Sequence, residues 1–492
     1  MSTAARPAFG IAPAARSRKA ALSPIDTWAR AAIVFILLVW GASFSIGFGH
    51  SLAILTALGY VAVIVGIYQP SIGVLGIGLL CTLDSVARIF VYSGADGNGP
   101  LPWNTFNYWL FAVMLLFSPF LLRLRDLHMR TLELFVALLS VQLLISPSLQ
   151  EGLQHVVGIA SVFGMMVYFA RVKHDRRVWY WLGVICGLLG AIGTLVFLVL
   201  RHRLPYVNPN TWSYLPLTAL FAICMAFPLV RGVGRAQLGL ALLASANLMW
   251  VLLSASRGSI LLAICCAVYL MLELRGMGRR SIVLGLAVIV ALVTFAEFPA
   301  LREHTFHRVD KLLDPSYSMA QRTSGRSDLV LGAWEIFREH PLGVGTGGFS
   351  VAWAELGQHA GTSGFGRWEE KQAHSGWAKT LAENGLLGVL LLASFVGSYL
   401  AIGVRLRTRY AFLFGALVST VLAAAFVSTE FQSKGLWMLA AGAATLLQCR
   451  WARRAPQRMR GRTRLRAPIT ARMNGRTNGA TPDASDEPTT HA

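Results

Sequence analysis

Long apolar runs follow one another along most of this chain, and a soluble domain has no way to bury them all. Crossing the hydrocarbon core of a bilayer takes about 20 apolar residues per helix, with a range of roughly 17 to 25. Runs of that kind lie near 31–49, 51–69, 72–92, 103–122, 131–147, 153–170, 178–200, 213–230, 236–254, 258–274, 281–298, 386–404, 410–427 and 433–449. They predict an all-α fold, a polytopic integral membrane helix bundle of about 12–14 spans, with very short joints at Gly49 to Ser51 and Gln69 to Ser71. Only 14% of the 492 residues are charged, against about 25% in a soluble domain. That excludes an ordinary soluble enzyme. Gly and Pro are scattered through apolar runs without a period, which excludes collagen-like and disordered chains.

The six cysteines (Cys81, Cys186, Cys224, Cys265, Cys266 and Cys449) fall in or at the end of apolar runs, so they read as small packing residues. Asp84 and Arg88 stand four apart in one run and are expected to neutralise each other inside the bundle. The first 30 residues are polar and basic and lead into a run long enough to span, so they are expected to be retained.

A formal net charge of +21 raises the question of nucleic acid. Position answers it. With the N-terminus cytoplasmic, 30 of the 44 Lys and Arg residues fall in inner segments, among them Arg123, Arg125 and Arg130; Arg171, Lys173, Arg176 and Arg177; and Arg405, Arg407 and Arg409. Basic inner loops are the positive-inside pattern. The excess charge is therefore mostly a topology signal, and no nucleic-acid partner is expected. The expected organisation is a cytoplasmic basic N-terminus (1–30), a transmembrane bundle (31–298), a large outer loop (299–385), C-terminal transmembrane helices (386–449) and a disordered basic cytoplasmic tail (450–492) in reach of membrane lipids.

The outer loop of 87 residues is the one sizeable extramembrane region, and it holds five of the eleven histidines. Loops longer than about 15 residues are usually functional when they are not disordered. Its stretch Asp328 to Arg338 is helix-like, so a folded outer cap is expected.

Four segments carry the chemistry. Tyr206-Val207-Asn208-Pro209-Asn210-Thr211-Trp212 is a turn signal at the head of a span, with the Asn210 amide available. Ser254-Ala255-Ser256-Arg257-Gly258 puts a guanidinium at the membrane edge, where phosphate binding and snorkelling to lipid headgroups compete evenly. Arg322 and Arg326, four apart at a helix start, suit an anion, though pairing with Asp328 or Glu335 competes. That helix ends in His340-Pro341-Leu342-Gly343-Val344-Gly345-Thr346-Gly347-Gly348-Phe349, whose glycines read as turns and close packing rather than a nucleotide loop, since no Lys follows them. Last come Ala373-His374-Ser375 and Glu383-Asn384-Gly385-Leu386-Leu387-Gly388, with an imidazole suited to proton transfer at the membrane boundary.

The ordered set resembles the O-antigen ligase and polymerase family of bacterial envelope proteins, over roughly Asn208 to Gly442. The resemblance implies a metal-independent, inverting transferase without a cofactor, in the bacterial cytoplasmic membrane, with both termini cytoplasmic and the active site periplasmic. It would move a glycan from an undecaprenyl-diphosphate carrier to a lipid or glycan acceptor. Carried onto this chain, Arg257 holds the diphosphate with Arg326 or Arg322 as a second clamp, His374 orients or deprotonates the acceptor hydroxyl, and Arg322, Asn210 and Glu383 bind substrate. Fixed guanidinium groups at a low-dielectric boundary would stabilise the charge gathering on the leaving diphosphate. Ligase-type transfer to a lipid A core is slightly favoured over polymerisation of lipid-linked repeats. A multi-span transporter is the competing class, but the polar residues cluster at one face and no internal repeat is evident.

Overall fold

The computed structural model describes residues 23–92, 102–122, 126–200, 212–230, 234–254, 256–274, 316, 326–360, 373–428 and 433–449. Among these residues the regular structure is helical, with no strand. The helices are α1 (Pro24–Ile46), α2 (Phe48–Val65), α3 (Pro70–Tyr92), α4 (Pro102–Leu116), α5 (Ser118–Leu122), α6 (Leu127–Gln142), α7 (Leu149–Arg171) and α8 (Arg176–Leu200). They continue with α9 (Tyr214–Ala226), α10 (Gly234–Leu253), α11 (Arg257–Leu274), α12 (Arg326–Glu339), α13 (Phe349–Ala360), α14 (Gly376–Leu406), α15 (Arg409–Ser428) and α16 (Lys434–Leu446). Nine described helices have the length and hydropathy to cross a membrane, and three shorter apolar ones accompany them. The chain is a multi-pass membrane protein. The apolar run at 281–298 lies outside the described residues.

Boundaries follow local chemistry. Ser23 opens α1 by accepting the Asp26 N–H, with Pro24 at the first helical position, where its missing N–H costs nothing. The apolar stretch 103–122, expected as one span, is interrupted at Phe117 because Pro119 cannot donate into the preceding turn. Pro228 likewise coincides with the change from α9 to a 3₁₀ turn over Phe227–Val230. The re-entry expected at residue 386 is instead part of a longer helix: α14 starts at Gly376 and bends at Gly385.

Side chains on the bundle exterior stay apolar, as with Leu38, Leu134 and Leu390, because lipid is the solvent there. The interior is one continuous apolar core running through α1 to α11 and α14 to α16. Small residues let helices approach closely, as where Gly415 of α15 sits directly on the Tyr399 backbone of α14.

Inter-helix hydrogen bonds join the ends that alternating spans would bring together. At the arginine-rich end, Arg171 donates to the Ile67 carbonyl at 3.1 Å, Arg177 meets Asp26 at 3.2 Å and Arg409 donates to the Leu272 carbonyl at 2.7 Å. At the opposite end, Ser43 and Ser51 bond across the α1–α2 joint at 2.7 Å, and Ser213 and Ser259 join α9 to α11 at 2.8 Å. A helix traced in the wrong direction would bring opposite ends into contact.

The long connection contributes α12, α13 and the first part of α14, which share a small separate core of Leu329, Ala333, Ile336, Phe349, Trp353, Ala373, Ala378 and Ala382. Gly332 leaves room for the Trp353 ring, which holds α12 against α13. The expected pairing of Asp84 with Arg88 falls on an Arg88 side chain outside the described set. Asp84 itself is buried.

Candidate functional site

The chemistry-bearing residues gather at the end of the bundle opposite the arginine-rich loops. Arg257 is the first residue of α11 and is exposed. Beneath it runs a chain of buried hydroxyls: Ser254 accepts the Ser256 N–H at 3.2 Å, Ser256 donates to Ser259 at 3.2 Å, and Ser259 bonds Ser213 at the head of α9 at 2.8 Å. The guanidinium is thus mounted on a joint whose own polar groups are satisfied internally.

His374 is also exposed and carries a φ of 48°, a left-handed value uncommon for a side chain with a Cβ. The cause lies in the next residue. Ser375 caps α14, accepting the Ala378 N–H at 3.3 Å, and donates to the Phe426 carbonyl at 3.1 Å. Trp377 donates to the Ala423 carbonyl at 3.0 Å and meets the Phe426 ring edge-on at a centroid distance of 6.1 Å. Together these contacts dock the start of α14 onto the last turns of α15 and turn His374 outward.

The same last turns of α15 meet α11. A Cβ placed on Gly258 would lie 2.9 Å from the Ser428 hydroxyl, so Ser428 abuts the residue that follows Arg257. Arg257 and His374, 117 positions apart in sequence, are therefore held by one helix end. Arg326, the exposed first residue of α12, acts electrostatically on the Tyr214 hydroxyl, next to the Ser213 that anchors the Arg257 joint. Arg257 and His374 thus both flank residues that pack on the end of α15.

Glu383 occupies a different setting. It is fully buried, with its carboxylate 3.4 Å from His155 Nδ1, 3.7 Å from Lys379 Nζ and 3.3 Å from the Phe349 N–H that it accepts. It faces the inside of the fold and ties three elements together. Just beyond it, Gly385 has φ 63° and ψ −164°, and two carbonyls ahead of this kink accept N–H groups from the glycine loop: Val344 donates to Ala382 and Gly345 to Glu383, each at 3.0 Å. Asn384 donates to Gln142 and, at 3.1 Å, to Thr346, while Gln142 donates to the Leu342 carbonyl at 2.8 Å. Thr346 donates to the Leu139 carbonyl at 2.9 Å, and Ser350 to Glu151 at 3.1 Å. The loop with the many glycines is thus a wedge between the kink of α14 and the α6–α7 joint.

Arg322 and Asn210 lie outside the described residues. Sequence reasoning did not single out Tyr214, His155, Lys379 or Gln142. Tyr214 follows the Asn-Pro-Asn turn closely enough to have been considered, whereas nothing near His155 or Gln142 signals a partner some two hundred residues away. Among the described residues no three His, Cys, Asp or Glu side chains gather as metal ligands.

Residues 238–393 match the family model described as O-antigen ligase. No curated protein matches the chain. The matched stretch contains Arg257, Arg326, His374, Glu383 and the glycine loop, and leaves Tyr214, His155 and α16 to the flanks. Residues 238–393, about a third of the chain, thus carry an O-antigen ligase domain, as the order of its motifs implied.

Proposed function

We propose that the protein transfers a glycan from an undecaprenyl-diphosphate carrier to an acceptor hydroxyl at the periplasmic face of the bacterial cytoplasmic membrane. One observation supports the reading: the last turns of α15 touch both Gly258, next to Arg257, and Ser375, next to His374. Exposed guanidinium groups and an exposed imidazole at one end of the bundle suit a phosphate-leaving, hydroxyl-attacking transfer.

In that transfer His374 takes the proton of the acceptor hydroxyl as its oxygen attacks the anomeric carbon from the face opposite the diphosphate. The bond from that carbon to the phosphate oxygen breaks, its electron pair leaves with the diphosphate, and the anomeric centre inverts. Arg257, with its planar fork, and Arg326 stabilise the charge that gathers on the leaving group. No metal ion is required for this step. The arginine-rich end, with Arg171, Arg177 and Arg409, then lies on the cytoplasmic side together with both termini.

Ligase-type transfer to a lipid A core is the favoured form, and polymerisation of lipid-linked repeats uses the same donor chemistry with another acceptor. A deletion strain complemented with wild type, Arg257→Ala or His374→Ala tests the reading by electrophoresis of envelope glycans and extraction of lipid-linked intermediates. Long lipid-linked chains accumulating over a bare lipid A core mark a ligase. A core with a single repeat, or loss of secreted polymer with short lipid-linked units building up, marks a polymerase. Removing one such charge-stabilising group is expected to cost about 10²–10³-fold in rate. Full rescue by both variants would refute the assignment of these residues.

A further inference from the structure

A buried charged cluster is the strongest feature that the transfer reading leaves unused. Asp84 of α3 and Lys434, the first residue of α16, are each 3% exposed. The Lys434 ammonium donates to Asn107 Oδ1 of α4, which also accepts from Ser161 of α7 at 3.4 Å. The Asp84 carboxylate and the Lys434 ammonium both act electrostatically on the thiol of Cys81, one turn before Asp84 on α3. Four helices thus bury an acid, a cation, an amide and a hydroxyl together.

Stability does not account for this arrangement. An ammonium in the first turn of a helix opposes the helix dipole. Withdrawing an acid and a base from water costs about as much as their attraction returns, so an apolar pair of similar bulk would hold the helices at least as well. Directional polar contacts do supply something that apolar ones lack, a single register. Ionisable groups inside a membrane bundle are in general functional for such reasons.

The register in question is that of the site. Gly435, next to Lys434, packs directly on Thr218 of α9, one turn past Tyr214. Tyr214 is the residue that feels Arg326, and its neighbour Ser213 is bonded at 2.8 Å to Ser259 of the Arg257 joint. On the other side, five residues of sequence separate Lys434 from Ser428, the end of α15, whose Phe426 carbonyl accepts from the Ser375 that follows His374. The start of α16 therefore connects to both halves of the site.

We propose that Lys434 is a positioning residue of the transfer site: its buried hydrogen bond to Asn107 fixes the start of α16, and with it the spacing between the Arg257 side and the His374 side. The inference rests on the transfer reading above, since spacing matters to a reaction in which both sides act on one substrate.

The test compares the full-length protein in proteoliposomes with the double variant Asp84→Leu with Lys434→Met, and with Lys434→Arg, which keeps the cation. Transfer from a lipid-diphosphate-linked glycan is measured beside thermal unfolding and the cross-linking of Gly258→Cys with Ser428→Cys. The apolar double variant is expected to melt at or above the wild-type temperature, to keep its donor KM, to lose at least tenfold in kcat and to cross-link more slowly; Lys434→Arg is expected to retain most of kcat. Wild-type kcat and unchanged cross-linking in the double variant would overturn the proposal, as would a rate loss that tracks loss of folded protein. A wild type that transfers no glycan counts against the transfer reading alone, because cross-linking reports the spacing without any substrate.

Discussion

Gly385 is the position at which a single methyl group should do the most damage. Its φ of 63° and ψ of −164° fall in a region open almost exclusively to glycine. Forcing alanine into it costs about 1–3 kcal/mol in backbone strain. The added Cβ would also press on the Pro341 carbonyl oxygen and lie 3.0 Å from the Leu342 carbonyl carbon, both backbone atoms that cannot rotate away. Overpacking of that kind costs a further 1–3 kcal/mol or so. Gly385→Ala should therefore destabilise by about 2–6 kcal/mol, against a total stability of about 5–15 kcal/mol for a folded domain. The same helix supplies the control. Gly397 is exposed and a Cβ there meets nothing within 4 Å, so Gly397→Ala should be neutral or gain about 0.5–1 kcal/mol. Both are measured by equilibrium unfolding of the purified full chain in mild detergent, with glycan transfer recorded in parallel. If Gly385→Ala unfolds with the wild type, or moves in the same direction as Gly397→Ala, the kink does not hold the glycine loop as described.

Ser375→Ala removes both the cap on α14 and the bond to Phe426, and should cost about 1–2 kcal/mol in thermal unfolding while lowering kcat through the adjacent His374. Glu383→Ala takes away the carboxylate that Lys379 and His155 share, so a loss of about 3–5 kcal/mol is expected; adding Lys379→Met should recover part of it in the same unfolding assay. Treatment with a strong chelator should leave the rate of glycan transfer in proteoliposomes unchanged, and inhibition reversed by a divalent cation would show that a metal takes part.

The helices were legible because each apolar run is long enough to demand a span, and the basic loops at Arg171 to Arg177 and Arg405 to Arg409 mark one end of the bundle. What the runs did not reveal were breaks and mergers, since hydropathy is blind to the backbone conformations that Pro119, Pro228 and Gly385 impose. Arg257, Arg326 and His374 drew attention because their motifs are short and local, and all three are exposed in the structure. The setting of Glu383 was not legible, because its neighbours His155 and Phe349 are brought to it only by folding. The expectation that it meets substrate came from its place in a motif, whereas its carboxylate points into the protein. Lys434 was not singled out at all, because a charge tally does not tell a buried cation from an exposed one.

The seam between the glycine loop and α14 is stitched largely by main-chain atoms: N–H groups of Val344 and Gly345, carbonyls of Ala382 and Glu383, and the carbonyl of Leu342. Every amino acid except proline supplies the same main-chain groups, so the seam is written in a script that most substitutions leave unaltered. Exhaustive single-site replacement across residues 341–348 should accordingly give an uneven landscape. Leu342, which is 83% exposed, should accept almost anything, while Gly343, Gly345 and Gly347, at φ 89°, 91° and 87°, should accept almost nothing. Two chains related by long divergence could then share this joint while showing little more in common there than the spacing of their glycines.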